Sequence, residues 1–222
     1  MSQMEAAARP LCASVTIKTP VVTWAGLGHA FANVLLAASF FVAALPSANQ
    51  RESGVASTVW IAGAIIMGFF SLVRAPAKSA MLTIPAFAAS AGMLVVPCLM
   101  RPATPSTGLW AAAGIVFEVT GVAFSQSARI CMGRRFGILP ANRGIVSKGP
   151  FSIVRHPIYL GWLILTIGFA LSYPSLSNVI LIFASLPFMV WRIEMEEALL
   201  AADSDYRVYQ HQVRFRLVPG VV

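Results

Sequence analysis

The sequence predicts an all-α integral membrane protein with about six transmembrane helices. Of its 222 residues, 58% are hydrophobic and only 11% are charged, and the mean hydropathy is +0.77. A soluble domain would carry about 25% charged residues. Apolar segments close to the ~20 residues that cross a bilayer as a helix recur along the chain. We therefore expect one membrane domain over residues 1–222, with N-terminal spans in 1–128 and the polar motifs in 129–222.

Six apolar segments are the candidate transmembrane helices: 21–45, 55–73, 80–100, 107–128, 158–173 and 176–191. Only Pro174 and Ser175 separate the last two, which favours an antiparallel helical hairpin followed by a cytoplasmic helical tail. Pro187 is expected to kink the second arm. Pro85 and Pro97 make a re-entrant path possible for the third segment, so five spans are an alternative to six.

The distribution of positive charge predicts the orientation in the membrane. The 129–155 loop has no acidic residue and six basic ones: Arg129, Arg134, Arg135, Arg143, Lys148 and Arg155. The positive-inside tendency places such a loop in the cytoplasm. Counting spans from it puts both termini on the cytoplasmic side and the 173–177 turn outside. Because such loops account for the net charge of +8, the basic composition does not indicate a nucleic-acid partner.

The cysteines and histidines do not suggest a metal site. They are dispersed, and no CxxC pair or other metal-ligand spacing occurs among them: Cys12, Cys98, Cys131, His29, His156 and His211. Three scattered cysteines also give no disulfide framework. We predict neither a bound metal nor a disulfide-stabilised fold.

Two polar clusters lie at the edges of the last two apolar segments, at 155–161 (RHPIYLG) and 192–197 (RIEMEE). Pro157 suits the first turn of a helix, which would put His156 at the helix cap and Tyr159 in the first turn. Arg192 and Glu196 are four residues apart and share a helix face. Separately, the clusters could be a membrane-interface anchor and a solvated helix end. The short turn at 174–175 brings them to one membrane boundary, which favours a binding pocket.

Two further features have a structural and a functional interpretation. The glycine- and arginine-rich stretches within 133–150 could hold an anionic ligand group, or they could face lipid headgroups. Glu118 lies in the middle of the fourth segment, where an ionisable residue costs ~2.5–3.5 kcal/mol and is a functional candidate. The alternative that we favour is a glutamate that ties helices together, with Ser125 or Gln126 near.

Residues 149–161, 192–200 and 206–219 together resemble the isoprenylcysteine carboxyl methyltransferase family. This family belongs to a wider group of membrane methyltransferases that includes phospholipid N-methyltransferases. The resemblance covers about residues 130–219 and rests on the RHPxYxG pattern at 155–161, the EExxL pattern at 196–200 and the tail after Tyr206. The chain departs from the family's arginine-aromatic-apolar-Pro ending, because residues 214–219 read RFRLVP.

The resemblance implies an integral membrane methyltransferase that uses S-adenosyl-L-methionine without a soluble Rossmann domain. It assigns one set of residues to the cofactor pocket: His156, Pro157, Tyr159, Gly161, Glu196 and Glu197. It assigns Arg192 and Glu196 to catalysis, with Arg192 facing the reacting end of the substrate. A lipophilic or lipidated substrate would enter from the membrane lipids, and the polar cofactor would enter from the cytoplasm.

Three alternatives accompany this interpretation. Within the same chemistry, the acceptor would be a phospholipid amine, or another lipophilic acid or thiol, instead of a prenylcysteine carboxylate. A different class is a non-enzymatic transporter or scaffold, which would distribute ionisable residues through several spans. Only Glu118 is placed in this way, and the other charges gather at one face, which favours the enzyme.

Overall fold

The computed structural model describes residues 33–35, 37–38, 55–101 and 104–220, and this part of the chain is mostly helical. It contains helices α1 (Val55–Leu72), α2 (Ile84–Leu99), α3 (Gly108–Met132), α4 (Pro157–Ser172), α5 (Leu176–Leu200) and α6 (Ser204–Gln212). A short antiparallel ribbon pairs β1 (Ser79–Ala80) with β2 (Ala141–Asn142). Two 3₁₀ turns cover Gly133–Arg135 and Gly149–Ser152. The predicted first span, 21–45, lies outside the described residues except for the pieces at 33–35 and 37–38.

Two helical stretches in the described part of the chain are long and apolar enough to cross a membrane, Gly108–Arg135 and Leu176–Leu200. Shorter apolar helical stretches lie at Ile61–Leu72, Ile84–Met93 and Pro157–Ser172. On α3 and α5, large apolar side chains are exposed while polar ones such as Glu118 are buried. This distribution suits a lipid surround, because polar groups in hydrocarbon need partners inside the protein. The total of six spans is still a prediction.

Glycines allow α3 and α4 to pack with their backbones in close approach. A Cβ atom added to Gly161 would lie 2.7 Å from both the Gly121 oxygen and the Ser125 nitrogen, and Gly114 and Gly168 meet the opposite backbone in the same way. Small residues at such positions are typical of helix pairs in membranes.

The packing of α4 against α3 changes the expected hairpin. The arms α4 and α5 are joined through residues 173–175, as predicted, but each packs chiefly on another helix: α4 on α3, and α5 on α2. The two arms contact each other much less extensively along their length. The C-terminal helices are therefore part of one bundle with the N-terminal ones.

A valine at position 161 is expected to separate α3 from α4. Its side chain would collide with backbone atoms of α3, which cannot move aside as a flexible side chain can, and overpacking of this kind costs about 1–3 kcal/mol or more. The thermal midpoint of the purified Gly161→Val protein should fall well below that of the wild type. Ala112→Val is the control, because it adds bulk to α3 at an exposed position. Equal midpoints for both variants would contradict the packing role of Gly161.

Glu118 ties two helices together, as the structural alternative predicted, although its partner differs from the expected one. The side chain is only 1% exposed. Its Oε1 accepts a hydrogen bond of 2.7 Å from the Ser172 hydroxyl at the end of α4, rather than one from Ser125 or Gln126. Its close neighbour Gly168 allows the approach. Glu118 therefore connects α3 to α4 near the 173–175 turn.

Candidate active site

The first element of the site is the start of α4. Because Pro157 has a fixed φ and no N–H, it suits the first helical turn, and His156 occupies the N-cap position, as predicted. The imidazole makes no capping bond. It is buried, and its Nε2 lies 3.0 Å from Oε1 of Glu197 on α5. The start of α4 is thereby joined to the C-terminal half of α5.

Glu197 is the centre of a network of charged side chains. Its Oε1 accepts a hydrogen bond from Arg155 Nε at 2.8 Å, and its Oε2 lies 3.0 Å from Arg216 Nη2. Glu197 is 6% exposed, so its charge has little solvation by water and depends on these basic partners. The network connects α5, the residues before α4 and the C-terminal tail.

The tail after α6 returns to the start of α4. The backbone N–H groups of Arg155 and His156 donate to the carbonyl oxygens of Phe215 and Arg216, both at 2.9 Å. Arg155 Nη1 also donates to the carbonyl oxygens of Val213 and Arg214. The tail and Glu197 therefore hold Arg155 from two sides, which fixes the backbone that leads into α4.

A second set of polar contacts lies one helical turn further into α4. The Tyr159 hydroxyl donates to Oε2 of Glu196 at 2.8 Å and accepts from Arg192 Nε at 2.5 Å. Arg192 Nη1 also donates to the hydroxyl of Ser90 on α2. Arg192 is only 6% exposed. Its guanidinium group therefore joins α2, α4 and α5. The two predicted clusters, 155–161 and 192–197, do converge.

A cavity of about 490 Å³ opens beside these side chains. Its volume is in the range of small-molecule sites, ~300–1,000 Å³. Five of the predicted site residues line it: His156, Pro157, Tyr159, Arg192 and Glu196. Glu197 is not in the wall but is bonded to the wall residues Arg155 and His156. Gly161 is not in the wall either, because it lies in the contact between α3 and α4.

The N-terminal helices and the basic loop contribute further wall residues. The sequence indicated the 133–150 stretch as a possible anion site, but it did not point to the helices. These wall residues include Met67 from α1, Ser90 and Met93 from α2, Ser125, Gln126 and Arg129 from α3, and Arg135 and Arg143 from the loop. Tyr206 and Tyr209 from α6 also line the cavity. The polar residues at the end of the fourth apolar segment were the available sequence signal for these helices. The apolar wall residues belong to no motif that would mark them in the sequence.

Several polar atoms in this wall have no partner within the described protein. They are Gln126 Oε1, Arg129 Nε and Tyr206 Oη, all buried. Buried polar atoms normally make hydrogen bonds. The wall therefore offers unpaired donors and an acceptor, a carboxylate at Glu196, guanidinium groups and apolar surface. This donor set fits S-adenosylmethionine, which combines an ammonium and a carboxylate with ribose hydroxyls and a flat adenine ring.

The loop part of the wall is cationic. Burial, together with the charge of Arg74, lowers the pKa of Arg143 to about 10, while Glu196 acts in the opposite direction. Because this pKa is still well above neutrality, Arg143 carries its positive charge at physiological pH. The cavity therefore has a basic side at the loop and a carboxylate at Glu196.

The structure is that of a mostly helical protein with two candidate membrane-spanning helices and a cavity lined by both polar clusters. Residues 106–203 match the PEMT family model, described as phospholipid methyltransferase. The matched region runs from just before α3 to the residue before α6, and it contains both polar clusters. No curated protein matches the chain.

Proposed function

We propose that this protein is an S-adenosylmethionine-dependent membrane methyltransferase that acts on a lipophilic acceptor at the cytoplasmic face. The observation that carries the proposal is the convergence of His156, Tyr159, Arg192 and Glu196 on one cavity at the end of two apolar helices. The match of residues 106–203 to the phospholipid methyltransferase model supports it. So does the clustering of ionisable residues at one end of the described helices, which a transporter would not require.

The proposed chemistry requires mainly alignment and exclusion of water by the protein. The cofactor supplies an electrophilic methyl group on a sulfonium sulfur. We assign the holding of the cofactor to His156, Pro157, Tyr159 and Glu196, with Glu197 fixing His156 from outside the wall. The apolar part of the wall would exclude water and admit the hydrophobic part of the acceptor. Positioning of this kind can supply a large part of the rate enhancement.

Two acceptor classes fit the site for different reasons. A phospholipid amine is favoured by the family match, and Glu196 would take the proton that an ammonium acceptor must lose. A prenylcysteine carboxylate is favoured by the RHPxYxG and EExxL patterns, and it needs no base because it is already ionised. Arg192 would then hold the carboxylate.

The test first measures binding of the cofactor product and then identifies the acceptor. S-Adenosylhomocysteine is titrated calorimetrically into the detergent-purified protein, and we expect saturable binding with 1:1 stoichiometry. Transfer of a labelled methyl group is then measured to phosphatidylethanolamine vesicles and to a farnesylated cysteine with a free carboxylate. Absence of binding by demonstrably folded protein would refute the methyltransferase.

The Glu196→Gln variant separates the two acceptors. If the acceptor is an amine that gives its proton to Glu196, turnover should fall about a hundredfold. The turnover of a carboxylate acceptor should fall less, because its methylation transfers no proton to Glu196. Glu194→Gln is the matched control, since it removes an exposed carboxylate two residues away on the same helix. An equal loss in both variants would contradict the role of Glu196.

A further inference from the structure

Three arginines line the cavity, and the proposed mechanism does not use them. Arg129 lies near the end of α3, Arg135 is in the 3₁₀ turn that follows, and Arg143 is just after β2; all three line the cavity. We call them the arginine cluster. Arg135 is exposed, whereas Arg129 and Arg143 are partly buried. The cluster therefore combines one solvent-exposed arginine with two that are partly shielded from water.

The cluster has no carboxylate partner in the described part of the chain. Among the described residues, no ion pair within 4.0 Å involves any of the three arginines, whereas Glu197 pairs with both Arg155 and Arg216. Arg129 Nη1 donates to the Ser125 hydroxyl at 2.5 Å, but its Nε is buried and has no hydrogen-bond partner among the described residues. A buried guanidinium with an unused donor is costly unless an acceptor reaches it.

Two glycines in the loop leave room for the guanidinium groups. A Cβ at Gly137 would collide with the Arg143 guanidinium, and a Cβ at Gly144 would lie 3.1 Å from Arg135 Nε. Gly144 also has φ +99°, which a residue with a side chain rarely adopts. Arg143 is held further by a 3.1 Å bond from its Nε to the Ala75 carbonyl oxygen. The loop thus positions two of the three cations.

We propose that the arginine cluster is an anion subsite that binds a phosphate or carboxylate group of a ligand in the cavity. Guanidinium groups bind both anions through directed, charge-assisted hydrogen bonds. The identity of the ligand rests on the proposed function: the anionic group is the phosphate of a lipid acceptor or the carboxylate of the cofactor. Glu196 lies in the same wall, so the cavity offers both signs of charge to a dipolar ligand.

The first arm of the test does not depend on methyl transfer. The thermal midpoint of the purified protein is measured with dihexanoyl phosphatidic acid and with dihexanoylglycerol, which has the same chains and no phosphate. Phosphate binding should raise the midpoint with the first lipid only. The increase should be lost in Arg129→Gln and Arg143→Gln. It should persist in Lys148→Gln, which removes an exposed charge of the same loop outside the cavity wall.

The second arm identifies the source of the anionic group. In Arg129→Gln, a roughly tenfold weaker affinity for S-adenosylhomocysteine, as expected for a lost charge-assisted bond, would assign the group to the cofactor. A roughly tenfold increase in the half-saturating acceptor concentration, with unchanged affinity for S-adenosylhomocysteine, would assign the anionic group to the acceptor. The subsite would be overturned if both arginine variants kept three wild-type values: the midpoint increase with phosphatidic acid, the affinity for S-adenosylhomocysteine and the half-saturating acceptor concentration. If the wild type neither binds the cofactor product nor methylates, the methyltransferase fails while the phosphatidic acid arm still decides the subsite.

Discussion

Replacing Glu197 with glutamine is expected to weaken both the stability of the protein and its affinity for S-adenosylhomocysteine. The change preserves the shape of the side chain but removes the charge that faces Arg155, His156 and Arg216. Breaking a buried ion pair by removing one partner costs about 3–5 kcal/mol. The pair with Arg216 adds little to this cost, because the Arg216 side chain is 45% exposed and its charge is screened by water.

The affinity should fall because Glu197 positions His156, which lies in the cavity wall. Calorimetric titration should give a dissociation constant at least roughly tenfold higher, the factor for one lost charged hydrogen bond. The thermal midpoint should fall in the same sample. Glu194→Gln, an exposed change on the same helix, serves as the control. A lower midpoint with unchanged affinity would make Glu197 a purely structural residue and would contradict its role in positioning His156 for the cofactor.

The sequence predicted those parts of the site that depend on local rules. Pro157 fixes where α4 begins, and the helix start determines the position of His156. The short turn at 174–175 reverses the direction of the chain, so the start of α4 and the end of α5 lie on the same side of the bundle. The helix α5 nevertheless runs to Leu200, nine residues past the predicted end of its apolar segment. A helix can continue where its residues change from apolar to charged, so the end of the apolar segment did not mark the end of the helix.

Other features depend on which helix faces which, and apolar stretches carry little information about that. The RHPxYxG pattern suggested Gly161 for the cofactor pocket, whereas the structure has it against Gly121 on α3. Ser90, 102 residues before Arg192, could be placed only by the packing of α2 on α5. The pairing of Glu118 with Ser172 likewise follows from the close contact of α3 and α4, which no spacing in the sequence shows.

The second large effect is expected at Arg192. Substitution by lysine should lower turnover about a hundredfold, the lower end of the effect of removing one preorganised donor, while the affinity for S-adenosylhomocysteine changes less than twofold. Lysine keeps the charge, but one ammonium cannot reproduce the planar fork that reaches both Tyr159 and Ser90. The measurements are kcat with the better acceptor and calorimetric titration of the variant.

Comparison with Tyr159→Phe and Ser90→Ala separates two roles for Arg192. If the guanidinium only positions the Tyr159 hydroxyl, Arg192→Lys and Tyr159→Phe should reduce kcat equally, and the double variant should be no slower than either. If Arg192 also contacts the acceptor, its substitution should cost more than the loss of the hydroxyl, and part of the loss should appear in the acceptor KM. Ser90→Ala removes one bond and leaves the guanidinium in place, so its effect should be the smallest of the three. Wild-type kcat in both Arg192→Lys and Arg192→Ala would leave Arg192 with no part in the reaction, because its buried contacts would then serve only to join α2, α4 and α5.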